Sequence, residues 1–419
     1  MTTRPRSTRY LLLFSCALAT LGLLIILASA PAAAQTYTVI HTFAAGGPQA
    51  GITVDAGGNL YGTTLGSLCP SDCGTVFKLE HKSEGWIFSQ LYAFQGGSDS
   101  AFPQAEVVIG PDGALYGTTA GGEQGGCEQG CGTVFRLTPP PTFCASVSCP
   151  WTKTILHTFT NAPDGNGPVG GTLFFDQQGN LYGTTFYGGY YGTGAVFKLA
   201  RTNGGWTESI IYSFTGLADG RWPVGGVMID GAGNLYGTTS AGGDVNLFQL
   251  FYGYGVIYKI SPNGSGWSET VLHTFYDEGD GALPEAVVTM DSAGNLLATS
   301  AAGGNGSCAY GVFNGCGIVL RNADVIYGFT GHSDSYPGGP KGPVTLDSAG
   351  NIYGTSFANG QYGGGVVFKL SAGQYTYTSL YDFDPSEGYV NPIGKISFDN
   401  NGNLYGVTTT HGAVWEIAP

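Results

Sequence analysis

Short apolar runs of five or six residues, set off by clusters of Gly, Asp and Asn, follow one another through almost the whole chain. Four kinds of run alternate in a fixed order. The first ends mostly in Asp, as at residues 51–55 and 171–176. The second is Gly58-Asn59-Leu60-Tyr61-Gly62-Thr63-Thr64 and its relatives. The third reads G-x-V-F-K-L, as at 74–79, 132–137 and 194–199, with later versions at 255–260, 365–370 and 412–417. The fourth ends in Phe, at 90–94, 154–159, 209–214 and 270–275. Val, Ile, Phe, Tyr and Thr fill the runs, which is the chemistry of strands. The D-x-x-G-N joint between the first two predicts a tight hairpin with Gly or Asn at positive φ.

The second run recurs seven times, with Asn59, Ala114, Asn180, Asn234, Asn295, Asn351 and Asn403 in the Asn position. The spacing, 52 to 66 residues, is too long for one rung of a β-helix and suits a four-stranded blade. The predicted fold is all-β, a seven-bladed β-propeller. Its phase is informative. The strands begin with a fourth-type run at 37–43 and end with the first three types at 395–399, 403–408 and 413–417. The N-terminal strand is therefore expected to complete the last blade, three strands plus one, leaving no open sheet edge. Gly62, Gly117, Gly183, Gly237, Gly354 and Gly406 share one position in the second run, where the fifth blade has Ala298. A strand Gly often marks a close approach. A neighbouring blade's aromatic is expected over it, from Phe77, Phe135, Phe197, Tyr258, Phe368 and Trp415.

Composition agrees. The chain has 72 Gly in 419 residues, far above the roughly 7% of an average protein. They do not fall at every third position, which excludes collagen. Residues 1–34 combine Arg4, Arg6 and Arg9, an apolar run, and small residues ending in Ala34. This is the anatomy of a secretory signal, with the propeller expected over 35–419. Left uncleaved, the same run is long enough to span a bilayer. Both readings place 35–419 outside the cytoplasm. Cleavage takes three Arg and no acid from a chain of net charge −14, so the mature surface repels nucleic acid and anionic lipid.

The repeat of Asp-x-x-Gly-Asn-Leu-Tyr-Gly-Thr-Thr, a Gly-Gly loop, Gly-Thr-Val-Phe-Lys-Leu and a terminal Phe resembles the GloVer tandem repeat of bacterial secreted proteins. The resemblance covers residues 37–417. It implies an extracellular repeat protein of the kind joined to varied surface anchors, and it brings no catalytic residues. No apolar tail follows the last strand before Pro419, so an anchor is not expected at that end.

Nine Cys occur, one of them Cys16 in the signal. The other eight fall in close pairs, Cys69/Cys73, Cys127/Cys131, Cys144/Cys149 and Cys308/Cys316. In an exported protein these read as four local disulfides that stiffen loops. The spacings do not match a thiolate metal site, and no metal is expected there.

Ligands are expected at the channel end where the outermost-to-inner loops lie. Those loops repeat an acid four residues before Pro, at Asp99, Asp164, Asp219 and Asp280, with Asp334 and Glu387 in later versions. One reading is a ring of carboxylates binding a cation or sugar hydroxyls; the other is Asp bonding its own turn. Trp222, Phe102, Tyr187, Tyr190, Tyr191, Phe251, Tyr252 and Tyr254 crowd these loops and the second-to-third loops at the same end, and aromatics beside carboxylates suit sugars. No cofactor is expected. Calcium is the one ion suggested, by Asp164-Gly165-Asn166-Gly167 and by Asp277 to Asp280, neither of which has the full loop spacing. His41, His157 and His273 share one place in outermost strands and read as structural. The expected function is a secreted, monomeric binding module for a glycan or cell-surface ligand, without catalysis. A carbohydrate-active or lactone-acting enzyme and a purely structural envelope protein are the alternatives. An enzyme should break the sevenfold pattern with a few convergent polar residues of shifted pKa at one channel end.

Overall fold

Each repeat folds into one antiparallel four-stranded sheet, and seven such sheets form the propeller. The computed structural model describes residues 35–419 apart from 45, 67–71, 123–126, 128–129, 142–149, 245–252, 277–278, 311–312 and 332–336. The expected signal, Cys69, Cys144, Cys149, Asp277, Asp334, Phe251 and Tyr252 lie outside the described residues. Blade 1 runs from the channel outward as Thr53–Val54, Leu60–Thr64, Thr75–Lys82 and Gly85–Ala93. Blades 2 to 6 repeat this order. Blade 7 takes Pro392–Phe398, Leu404–Thr408 and Ala413–Ala418 from the end of the chain and Thr36–Thr42 from its start. Thr36 pairs with Ala418 and Thr42 with Ala413, so the expected closure is present. No helix among the described residues is long and apolar enough to cross a membrane.

The hairpin between the first two strands forms as its residues dictate. Gly58 has φ 78°. Asp55 Oδ1 accepts from the backbone N–H of Gly57 and Asn59, and Oδ2 from the Asn59 amide at 2.7 Å and the Tyr61 hydroxyl at 3.2 Å. Asp176, Asp230 and Asp347 repeat this brace. In blade 2, where Ala114 replaces Asn, Asp112 instead holds Arg136 at 2.6 Å and the Tyr116 hydroxyl at 3.0 Å.

The core consists of clusters between neighbouring blades. Ile52, Leu60, Phe77 and Leu79 of blade 1 pack with Tyr405, Val407 and Val414 of blade 7. Near the channel, Thr hydroxyls of the second strand reach the next blade's backbone, as from Thr63 to Ala105 and from Thr118 to Pro168, both 3.0 Å. Ser397 Oγ donates to the Ile52 carbonyl at 2.5 Å and completes the circuit from blade 7 to blade 1.

One expectation needs correction. The aromatic over the second-strand Gly belongs to the same blade. Gly62 lies opposite Phe77 in the ladder, and a Cβ on Gly62 would stand 2.5 Å from the Phe77 ring. Gly183 and Phe197, Gly237 and Tyr258, and Gly406 and Trp415 are paired likewise. In blade 5 both partners change together: Ala298 faces Leu320. The neighbouring blade supplies the next ring outward. Phe94 meets Phe135 edge-on at 5.3 Å, and Phe159 meets Phe197 at 5.1 Å.

Candidate functional site

The inner strands wall the channel, and two cavities lie along it. One, about 130 Å³, is lined at the starts of the inner strands by Glu106, Glu285, Lys341 and Lys395 among glycines and small residues. The other, about 840 Å³, lies toward the hairpins and is lined by apolar groups such as Ile109, Phe174, Met228, Met290 and Leu346. Glu106 is buried and accepts a hydrogen bond from Thr53 Oγ1 at 2.9 Å. Burial pushes its carboxyl up, against the opposing pull of Lys395 and Thr53. Burial likewise pushes Glu285 up, opposed by Lys341. Sequence reasoning missed these four residues. Aligning the repeats on the buried inner-strand residue (Ile52, Val107, Val288, Val344, Ile396) would have found them. The charges stand one or three positions before it, where the other blades carry uncharged residues such as Gly, Gln, Thr, Val, Pro or Ile.

The repeated loop acids lie elsewhere. None of Asp99, Asp164, Asp219 and Asp280 lines either cavity. Each binds its own turn and the ring seven residues before it. Asp99 accepts from the Gln95 N–H at 2.8 Å and the Tyr92 hydroxyl at 2.5 Å. Asp164 accepts from the Thr160 N–H at 3.0 Å and lies 3.1 Å from His157 Nε2. Asp219 accepts from the Thr215 N–H at 2.8 Å and the Tyr212 hydroxyl at 3.0 Å. Asp280 accepts from the Tyr276 N–H at 3.2 Å and lies 3.3 Å from His273 Nε2. Among the described residues no group of three metal-ligating side chains contains two of these acids.

Trp222 belongs to an aromatic cluster at the loop end of blade 3. Its ring stacks on Phe186 at 5.4 Å, carries the Arg221 guanidinium 4.1 Å above it, and meets Tyr187 at right angles. On the loop between the second and third strands of blade 3, Tyr187, Tyr190 and Tyr191 are 47%, 74% and 56% exposed. The Tyr190 N–H is pinned to Ser213 Oγ at 3.1 Å.

The outer rim holds a second series. Each outermost strand closes on a Phe, buried in blades 1 to 6 and half-buried as Phe43 in blade 7, and the residue two before that Phe faces the residue six before the next blade's Phe. His41 stacks on Phe88 at 4.2 Å, Tyr327 on Tyr377 at 4.9 Å and Tyr381 on Tyr37 at 3.7 Å. The Lys153 ammonium stands 5.2 Å over the Tyr92 ring and pairs with Asp99 at 2.7 Å. Burial opposes ionisation of Asp99, but Lys153 and Tyr92 hold its carboxyl below the usual range. Glu208 and Glu269 take the position of Lys153 in blades 3 and 4. Burial first, then the nearby Asp164 and Asp219, push both carboxyls up to about 7. Sequence reasoning missed Lys153, Glu208 and Glu269 too; their constant distance from the closing Phe was the available signal.

Two of the expected disulfides are described, Cys127–Cys131 and Cys308–Cys316, with Cα atoms 5.3 and 5.0 Å apart. Cys73 is also disulfide-bonded.

Fold and site together define a seven-bladed β-propeller of tandem repeats whose loop end and rim depart from sevenfold uniformity. The chain belongs to the Gloeobacter/Verrucomicrobia repeat family, whose repeat matches at residues 26–251, 123–308 and 245–417. Among curated proteins none matches. Many solved structures share the fold, among them the following three. Virginiamycin B lyase from Staphylococcus aureus is 12% identical, over 92% of this chain and 99% of its own, with TM-score 0.53. PorZ, a surface component of the type-IX secretion system of Porphyromonas gingivalis, is 14% identical, over 90% and 48%, with TM-score 0.51. A polysaccharide lyase is 12% identical, over 89% and 90%, with TM-score 0.50. At such identities the likeness concerns the fold alone.

Proposed function

We propose that residues 35–419, exported after loss of residues 1–34, act as a non-catalytic extracellular module that binds a surface glycan. The observation that carries this reading is the loop end of blade 3, where the exposed Tyr187 meets Trp222 with the Arg221 guanidinium above it, and Tyr190 and Tyr191, edge to face with each other, stand exposed on the loop that carries Tyr187. Aromatic faces of that size pack on the apolar faces of sugar rings, and neighbouring polar groups fix the hydroxyls. The loop breaks the repeat, so its composition does not follow from the scaffold. The disulfides support export, because such bonds persist in oxidising compartments.

A glycan array probed with the full chain, with and without calcium, tests the reading. Tyr190→Ala with Tyr191→Ala should lower affinity by about tenfold or more at unchanged melting temperature, since both rings are exposed. Absence of any bound glycan, or binding indifferent to these two tyrosines, overturns it. A second reading has its own observation: Glu106 and Glu285, both raised by burial, share one channel cavity with Lys341 and Lys395. Carboxyls raised by burial are of the kind that general acids use, and such a gathering is what an enzyme would need. Turnover of a lactone or polysaccharide that is lost in both Glu106→Gln and Glu285→Gln would favour it over the module.

A further inference from the structure

The rim junction between blades 2 and 3 gathers a set of donors that the other junctions lack. His157 sits on the outermost strand of blade 2 (Thr152–Thr158), Asp164 on the loop that follows, and Glu208 on the outermost strand of blade 3 (Gly205–Ser213). One ligand atom from each lies within 4.8 Å of the others, and no other group of three or more His, Cys, Asp or Glu among the described residues is placed to hold an ion. From this geometry we infer that His157, Asp164 and Glu208 form a binding site for a divalent first-row metal ion, Zn²⁺ being the best match.

The donor set is one imidazole nitrogen and two carboxylates, which suits Zn²⁺ better than the all-oxygen preference of calcium or magnesium. Two donors are already oriented. Asp164 is held by the Thr160 N–H at 3.0 Å, the Thr160 hydroxyl at 3.1 Å and the Gly165 N–H at 2.7 Å. The His157 ring is set edge-on against Phe159 at 4.8 Å. Such outer contacts fix ligand direction in metal sites. The third donor supplies an independent observation: Glu208 Oε1 is buried and has no hydrogen-bond partner. A buried acceptor with no donor, facing a second carboxylate, is costly unless a proton or a cation lies between them. Three protein donors leave a tetrahedral ion one position for water or a further ligand. The ion takes the place of the hydrogen between His157 Nε2 and Asp164, and the imidazole then carries its hydrogen on Nδ1.

The next two junctions serve as internal controls. Blades 3 and 4 bring Asp219 and Glu269 together, but Tyr212 stands where His157 would be. At blades 4 and 5 His273 and Asp280 are present, but the position of Glu208 falls on Ala323, just before the strand Asp324–Gly328.

The test uses the full chain expressed with its own leader, stripped with EDTA and titrated with Zn²⁺ by calorimetry, with thermal melts run in parallel. One ion per chain and a Zn²⁺-dependent rise in melting temperature are expected. Glu208→Gln, nearly isosteric, and His157→Gln should each weaken binding by about tenfold or more and remove the rise. Their melts in EDTA establish that each is folded. Tyr212→His should build a second site with Asp219 and Glu269 and raise the stoichiometry to two. The inference is overturned by the absence of a Zn²⁺-dependent shift in the parent, by unchanged affinity in Glu208→Gln, or by a stoichiometry that stays at one in Tyr212→His.

Discussion

The middle of each blade and its outer rim answer to different constraints. In the middle, Gly62 and its equivalents face an aromatic across the ladder so closely that a Cβ has no room. The pair can change only as a unit, as it does once, to Ala298 and Leu320. At the rim the facing pair is stacked rings at His41–Phe88, Tyr327–Tyr377 and Tyr381–Tyr37. Elsewhere it is Lys153 beside Tyr92 and Asp99, or a Glu facing an Asp. Steric closeness fixes the first pair in nearly every blade. The second is half open to solvent, where several pairings are tolerated, so chemistry that departs from the repeat can collect there.

The sharpest way to break this comparison is to force a side chain into the middle. Gly183→Val places atoms where the Phe197 ring lies, 2.6 Å from a Cβ at that site. Overpacking of this kind costs about 3 kcal/mol or more, and a loss of folded protein or a large drop in the urea midpoint is expected. The double variant Gly183→Ala with Phe197→Leu copies blade 5 and should recover much of the loss of Gly183→Ala alone. A coupling of about 1–3 kcal/mol is expected in the cycle. Additive effects in that cycle would show that the two positions do not covary for steric reasons.

A smaller effect is expected from the rim pair that is electrostatically complete. The Lys153 side chain is 6% exposed and Asp99 25% exposed. Lys153→Met keeps the stem and leaves Asp99 charged beside a blade interface. Losing one partner of a buried pair costs about 3–5 kcal/mol, and the partial exposure of Asp99 brings the expected loss down to about 1–2 kcal/mol. Asp99→Asn added to Lys153→Met should restore part of it. A neutral Lys153→Met in a denaturant melt would mean that the stem's packing, and not the charge, is what matters at this junction.

How much of this the sequence disclosed follows from the same contrast. Blade number, strand phase and the joining of the N-terminal strand to blade 7 were legible, because hairpin and core positions repeat nearly unchanged. The aromatic over each Gly was recognised but assigned to the wrong blade. Its partner is set by ladder register across a Gly-rich loop of variable length, and nothing in the loop sequence counts that register. The loop acids were legible as a repeat, and their spacing of seven from a Tyr or His was the clue that each closes its own turn. Glu106, Glu285, Lys341, Lys395, Lys153, Glu208 and Glu269 were missed because each occurs in only one or two blades. A search for repetition passes over residues of that kind, and here they are the candidates for chemistry.

The least effect, and the one most specific to charge, is expected at Glu269. Its carboxyl stands at about 7 in the folded chain against 4.5 ordinarily, from burial and from Asp219. Below about pH 4.5 folded and unfolded chains both hold the proton, and its contribution to stability is fully present. Between about 4.5 and 7 the unfolded chain releases the proton and the folded chain keeps it, so stability falls as pH rises, levelling off above 7. Glu269→Gln removes that slope. It should match the parent at pH 4.5 and exceed it at pH 8 by about 1 kcal/mol, after allowance for partial exposure. Melts at both pH values read this directly. Lys153→Met takes away one of the groups that hold the Asp99 carboxyl low, so its change has the opposite sign: a loss at pH 8 that does not grow as the pH falls to 4.5 and Asp99 can take up a proton. A gap between Glu269→Gln and its parent that does not widen with pH would assign the difference to packing and remove the electrostatic distinction between the two junctions.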